Sequence, residues 1–308
     1  MSVAGANPTR DAGVPPIGAW WSTPRFGVFM VSALVGLIVL AHHWFSRQQQ
    51  ISWGSQDWAH VYIVPFISGY AVWLRRDRLA RLRPETFAPG LALMLLGLMA
   101  YILLTLGFPS HMAGGFALVL SIFGLVLFNL GPRITAVLAF PLLYLVFGVS
   151  LSNFMIKGVM FQLQLIASQG AWVLLNLVGV TTDVAGNTLT IFPSRGDPIP
   201  LDVAAACSGM RMVIGFYALG AAVAFFSTTH WWQRIALLLL AAPIAILVNV
   251  FRVASLGALS LWNPEFAKGN AHMLIGVLWL IPALGLFMGC VWLLQRAVPD
   301  AEPAGGSP

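Results

Sequence analysis

IALLLLAAPIAILVNVFRVASLGAL, residues 235–259, contains one ionisable side chain, Arg252, in 25 positions. At about 1.5 Å per residue a helix of this length reaches roughly 37 Å, more than the ~30 Å of hydrocarbon in a bilayer. A helix so long and so uniformly apolar has no polar face to turn towards water, so its solvent is lipid.

Working outward, comparable stretches fall at 26–45, 60–74, 89–107, 113–130, 134–150, 207–226 and 272–294, which with 235–259 makes about eight spans. The whole chain agrees: of 308 residues 59% are apolar and 8% charged, too few charges to cover a water-soluble globule. The expected fold is therefore an all-α integral membrane protein, a polytopic bundle of about eight transmembrane helices. Residues 26–298 form the transmembrane domain, and the Pro- and Gly-rich residues 1–25 and 299–308 are expected to be disordered cytoplasmic ends. No cleavable signal peptide is expected in the first 25 residues, which lack an apolar core followed by a small-residue cleavage site.

The net charge of +6 is a topology signal and not a nucleic-acid footprint, because its densest run, Arg75, Arg76, Arg78, Arg81 and Arg83, lies directly between two apolar stretches. Loops rich in Lys and Arg stay in the cytoplasm. With this loop inside, alternation places ten basic residues inside, four outside and two, Arg211 and Arg252, within spans. Both termini are then cytoplasmic, in a multi-pass protein of the plasma (inner) membrane.

Residues 151–206 interrupt the pattern, beginning and ending on the outer side. Their first half mixes Gln162, Gln164, Ser168 and Gln169 into apolar sequence and is expected to form interfacial or re-entrant helices. Their second half, with Gly186-Asn187 before the β-prone Thr188–Phe192, is expected to form a short β-hairpin leading into the next span. The Arg-Gly-Asp triplet at 195–197 is too short a string to indicate a receptor.

Reactive groups at the margins of spans are the informative ones, since hydrocarbon penalises them unless they serve a site. Cys207 opens a span within Ala-Ala-Ala-Cys-Ser-Gly-Met-Arg, where the helix N-terminus and Arg211, one turn on, both favour thiolate. Arg252 lies 18 residues past Arg234, roughly 27 Å along the helix and near the outer interface, with Asn249 three residues earlier on the same face. His272 opens the last span. Singly, each has a plainer reading: a small apolar filler, a snorkelling anchor, an incidental interface residue. Together, the loop arginines put all three at one depth on one side. A thiolate can attack a carbonyl carbon, an imidazolium can protonate the departing amine, and a guanidinium can stabilise thiolate or oxyanion. The remaining histidines, including His42, His43, His60 and His111, match no metal motif, and no cofactor is implied. Cys290, near the inner end of the last span, is too far along to pair with Cys207.

At these residues the chain resembles the exosortase and archaeosortase family of membrane cysteine transpeptidases. Ala206 to Arg211, including Ser208, resemble its cysteine block, Asn249 and Arg252 its next-span pair, and His272 with Gly276 its last block. Gly186–Ile191, Pro193, Leu201 and Val203 resemble its lead-in to the cysteine, and His60–Pro65 with Trp73, Arg75 and Arg76 resemble its N-terminal region more loosely. Met273 stands where many members carry an acidic residue. The resemblance implies Cys207 as nucleophile, His272 as general acid and base and Arg252 as electrostatic stabiliser, with Arg211, Asn249 and Ser208 supporting. It also implies exported protein substrates bearing a C-terminal motif of the PEP-CTERM kind, a transmembrane helix and a basic tail. Membrane lipids and an association with exopolysaccharide export follow from the same resemblance. The alternative from another class is a transporter or lipid flippase whose intramembrane arginines bind an anionic substrate.

Overall fold

The computed structural model describes residues 24–297 apart from 55, 195, 204–209, 228–229, 264–273 and 276–277. Its chain groups into two compact units, the first drawn from Met1–Ser55 and Val61–Ser150, the second from Gln56–His60 and Leu151–Pro308.

The first unit contains α1 (Pro24–Gly54), α2 (Val64–Leu74), the short α3 (Arg76–Ala80), α4 (Ala88–Ile102) and α5 (His111–Tyr144). Helix α5 is two helices in one. At Gly131 the backbone takes φ 77°, ψ 172°, a conformation that only glycine adopts without strain, and Pro132 follows. The chain turns back there, and Gly115 near the start of the first half approaches Val149 just beyond the second. The fold-back falls in the turn expected between the spans at 113–130 and 134–150.

Helices α4 and α5 pack through small residues. A Cβ at Gly90 would collide with the backbone of Phe128, one at Gly97 with Ser121, and one at Gly124 with the backbone of Met94. Lipid supplies no hydrophobic drive between helices, so this close backbone approach, and the dispersion contacts it permits, holds the pair together.

Polar knots tie both ends of this unit. At one end His111 Nε2 and the Ser150 hydroxyl each donate to Gln48 Oε1 at 2.7 Å, Gln48 Nε2 donates to Ser52 at 3.1 Å, and Trp44 Nε1 donates to the His111 carbonyl at 2.8 Å. At the other end Arg75 donates to the Val137 carbonyl at 3.0 Å, and the Phe87 amide to the Phe128 carbonyl at 2.9 Å. Residues 48, 111 and 150 thus share one level and 75, 87, 128 and 137 the other, the grouping that alternating passes require.

The second unit is built on α8 (Trp231–Ser260), flanked by α6 (Asn153–Leu177), α7 (Met210–Ser227) and α9 (Leu280–Ala297), with strands β1 (Thr182–Ala185), β2 (Thr188–Ile191) and β3 (Ile199–Asp202). Gln233 donates to the Leu294 carbonyl at 3.1 Å and Gln295 to the Ser227 carbonyl at 2.6 Å, which joins one end of α7, α8 and α9. A core of Met212, Phe216, Leu237, Ala241, Ala245, Ala283 and Phe287 fills the space among these three helices.

The insertion departs from expectation in two respects. Its first half is one continuous helix, α6, and not a set of interfacial pieces; Gly170 lies against Val250 and Leu175 against Gly257, so it runs beside α8 in the same direction. Of the four polar residues that suggested an interface, Gln162 and Gln169 are exposed, but Gln164 is only 7% exposed and the buried Ser168 hydroxyl donates to the carbonyls of Leu165 and Gly186. The expected hairpin is a three-stranded antiparallel sheet, with Leu189 opposite both Val184 and Leu201. Its first turn holds Gly186 at φ 62°, with no positive φ at Asn187, the glycine-first pattern of a type II′ turn.

Among the described residues four helical stretches are long and apolar enough to cross a membrane: Ala88–Gly107, His111–Gly148, Lys157–Leu177 and Trp231–Ser260. His60–Leu74, Met212–Ser227 and Leu280–Arg296 are apolar but shorter. The chain is a helical membrane protein with a small three-stranded sheet.

Candidate active site

Helix α8 positions Asn249 and Arg252 three residues apart, hence on one face, and both are buried, at 2% and 4% exposure. The snorkelling reading of Arg252 is thereby excluded, since a snorkelling guanidinium reaches water while only its stem is covered. Burying a guanidinium costs several kcal/mol unless partners or a function compensate.

The residues that follow Arg252 on α8 pack against the insertion. Ala167, Ala171 and Leu175 of α6, Leu189 and Ile191 of β2, Leu201 of β3, and Val203 form one core with Val253, Ala254 and Leu256 of α8, and Ile275 packs against it. Hydrogen bonds clamp the sheet to α6: Trp172 Nε1 donates to the Thr182 carbonyl at 3.0 Å and Asn176 Nδ2 to the Thr182 hydroxyl at 2.7 Å. The Val203 amide donates to the Asn187 carbonyl at 2.9 Å and Asn187 Nδ2 to Asp202 at 3.1 Å, so the strand is held in place up to the residue before 204–209.

Cys207, Ser208 and His272 lie outside the described residues, and so does Gly276. Arg211 falls in the first turn of α7, with its side chain outside the description. Their described flanks are Val203 and Met210 on either side of the cysteine segment, and Leu274 and Ile275 after the histidine.

Two further contributors were not identified as such from sequence. Trp279 Nε1 donates to the Ser255 hydroxyl at 2.9 Å, and its ring stacks on Phe251 at 6.2 Å, joining the chain after His272 to α8 within a turn of Arg252. Ser255 in turn donates to the Arg252 carbonyl at 2.8 Å. The three-residue step from Arg252 to Ser255 was a readable signal; the partnership with Trp279 was not, because it spans 24 residues. The segment Gln56–His60 also groups with this unit, although its neighbours in sequence belong to the other. Trp58 is buried there, with its ring 5.9 Å from that of His60.

Cys290 is a free, half-buried thiol packed on the α7–α8–α9 core, away from this cluster.

Chemically, a buried cation on α8, next in sequence to a core shared with the strand that precedes the cysteine segment and with the chain that follows the histidine, suits the stabilisation of a negatively charged sulfur or oxygen. Comparison with known proteins points the same way. No curated protein and no solved structure matches the chain, but the family model described as transmembrane exosortase matches residues 52–289, well over half its length, and includes Cys207, Arg252 and His272. A buried arginine set in a helical membrane protein, within a match of this extent, leads to one assignment: the chain belongs to the transmembrane exosortase family.

Proposed function

We propose that the protein is a membrane-embedded cysteine protease and transpeptidase that cleaves C-terminal sorting signals of exported proteins at the outer face of the inner membrane. Family membership implies transpeptidase activity in general; the residue roles, substrate and face are our reading.

One observation carries it. A single core holds Val203, Val253 and Ala254, with Ile275 packed against it. Cys207 follows Val203 by four residues, Arg252 immediately precedes Val253, and His272 precedes Ile275 by three. The three reactive side chains therefore belong to segments that leave one small core, although 65 residues of sequence separate the first from the last.

In the reaction, the Cys207 thiolate attacks the carbonyl carbon of the scissile peptide bond. The carbonyl oxygen takes the negative charge, opposite the Arg252 guanidinium. As the C–N bond breaks, His272 gives its proton to the leaving nitrogen, and the substrate's transmembrane helix and basic tail depart as an amine. The thioester left on Cys207 is attacked by water or an amine, which loses a proton to His272, and the thiolate is regenerated.

The test follows a tagged substrate bearing a sorting signal, in cells that express wild-type protein or Cys207→Ala. The variant is expected at wild-type membrane levels with no cleaved product, and a thiol-directed acyl trap should label the wild type in a manner that depends on His272. Normal processing by Cys207→Ala would overturn the nucleophile assignment, and solute or lipid movement that persists in that variant would favour a transporter.

A further inference from the structure

The arginines of the loop after α2 do more than set orientation. Arg75 and Arg78 meet Arg133, from the turn inside α5, around one hollow of about 290 Å³ whose remaining lining is Leu82, Ala136 and Val137. Two separate segments thus bring three guanidiniums to one place. Arg75 is held by its hydrogen bond to the Val137 carbonyl at 3.0 Å. Asp77 and Glu85, the acidic residues of this loop, do not line the hollow: Asp77 faces Arg76 at 3.8 Å, and the Glu85 side chain packs on Gly131, two residues before Arg133. Arg76 is engaged elsewhere, its guanidinium 4.3 Å from the centre of the Trp73 ring.

Positive-inside topology needs arginines in the loop but does not need them to converge with one from another turn. Three guanidiniums lining one hollow give it a concentrated positive potential, and guanidiniums match phosphate oxygens by paired, charge-assisted hydrogen bonds. The apolar floor of Leu82, Ala136 and Val137, at the end of membrane-crossing helices, suits the part of a lipid just below its phosphate. We propose that this hollow is a phosphate site that holds the head group of an anionic phospholipid in the leaflet on the side of the arginine loop.

The experiment measures the thermal midpoint and co-purified lipid of detergent-solubilised protein with phosphatidylglycerol, with phosphatidylcholine, and with inorganic phosphate alone. Arg78→Gln/Arg133→Gln is compared with Arg81→Gln/Arg83→Gln, which removes the same charge from the same region but outside the hollow. Wild type and Arg81→Gln/Arg83→Gln should both be stabilised by phosphatidylglycerol over phosphatidylcholine, and Arg78→Gln/Arg133→Gln should bind it about tenfold more weakly. A response to phosphatidylglycerol but not to inorganic phosphate supports the lipid source. A response to both supports the phosphate chemistry with free anion as a second source. No preference for phosphatidylglycerol in the wild type, or equal loss in the two double variants, would overturn the proposal. Should Arg78→Gln/Arg133→Gln fail to accumulate, Arg133→Gln alone, which leaves the loop intact, gives the same comparison.

Discussion

At the scale of single residues, Arg252 is the position where stability and function pull apart. Its guanidinium is buried beside Asn249 on a helix that leucine or methionine would suit better in lipid. Arg252→Lys keeps the charge and most of the stem but loses the planar fork. Processing of the tagged substrate should fall roughly ten- to a hundredfold while membrane levels hold, and wild-type processing would reduce Arg252 to a structural cation. Ser255 tests the link to the last helix. Ser255→Ala leaves the Trp279 N–H without its acceptor, a loss of about 1 kcal/mol in stability. If that bond also sets the approach of the His272 segment, processing drops several-fold, and Ser255→Thr, which retains the hydroxyl, restores it. The candidates were legible at this scale because a charge or thiol in an apolar run is conspicuous wherever it lies. Ser255 and Trp279 were not, since a serine and a tryptophan near a span end are ordinary until they are seen to meet.

At the scale of elements, the pairing of α4 with α5 rests on glycines that only make sense in pairs. Gly90 and Gly97 lie two turns apart on α4, and each faces a residue of α5 that comes too close for any side chain. Gly124→Leu would drive a branched side chain into the backbone of Met94. The expected result is a thermal midpoint in detergent lower by several degrees, with separation of the two helices read as increased protease cleavage near residues 108–110. Gly36, on α1, has open space where a Cβ would go, so Gly36→Ala should leave the midpoint unchanged or raise it slightly. The insertion shows why element boundaries were harder to read. Gln164 and Ser168 look like surface residues in sequence, yet both are buried, and the Gly186 carbonyl of the sheet's first turn accepts a hydrogen bond from Ser168. The composition of one segment cannot reveal a partner supplied by the next.

At the scale of the whole molecule, the number of passes decides which face carries the site. Between the arginine loop 75–83 and the sheet 182–202 lie α4, the two halves of α5, and α6. Three crossings, which the proposed outer-face site requires, put a reporter inserted in the loop and one inserted at the Gly196 turn on opposite sides of the membrane. Reporters on the same side would mean that Lys157–Leu177, long and apolar enough to span, makes a fourth crossing. The site would then lie on the face of the arginine loop.

What the sequence determined alone was the solvent of each stretch, and with it the membrane class, the order of the apolar helices and the identity of the residues that hydrocarbon should not tolerate. Partition between lipid and water is a property of each short stretch of side chains and can be summed along the chain. Only the tertiary structure decided that the strand before Cys207, the helix around Arg252 and the chain after His272 share one core, that α6 is a single helix beside α8, and that Arg133 joins Arg75 and Arg78 around one hollow. These are meetings of residues tens of positions apart, fixed by close packing and long-range hydrogen bonds, and no local property of the chain encodes which distant surface will cover which.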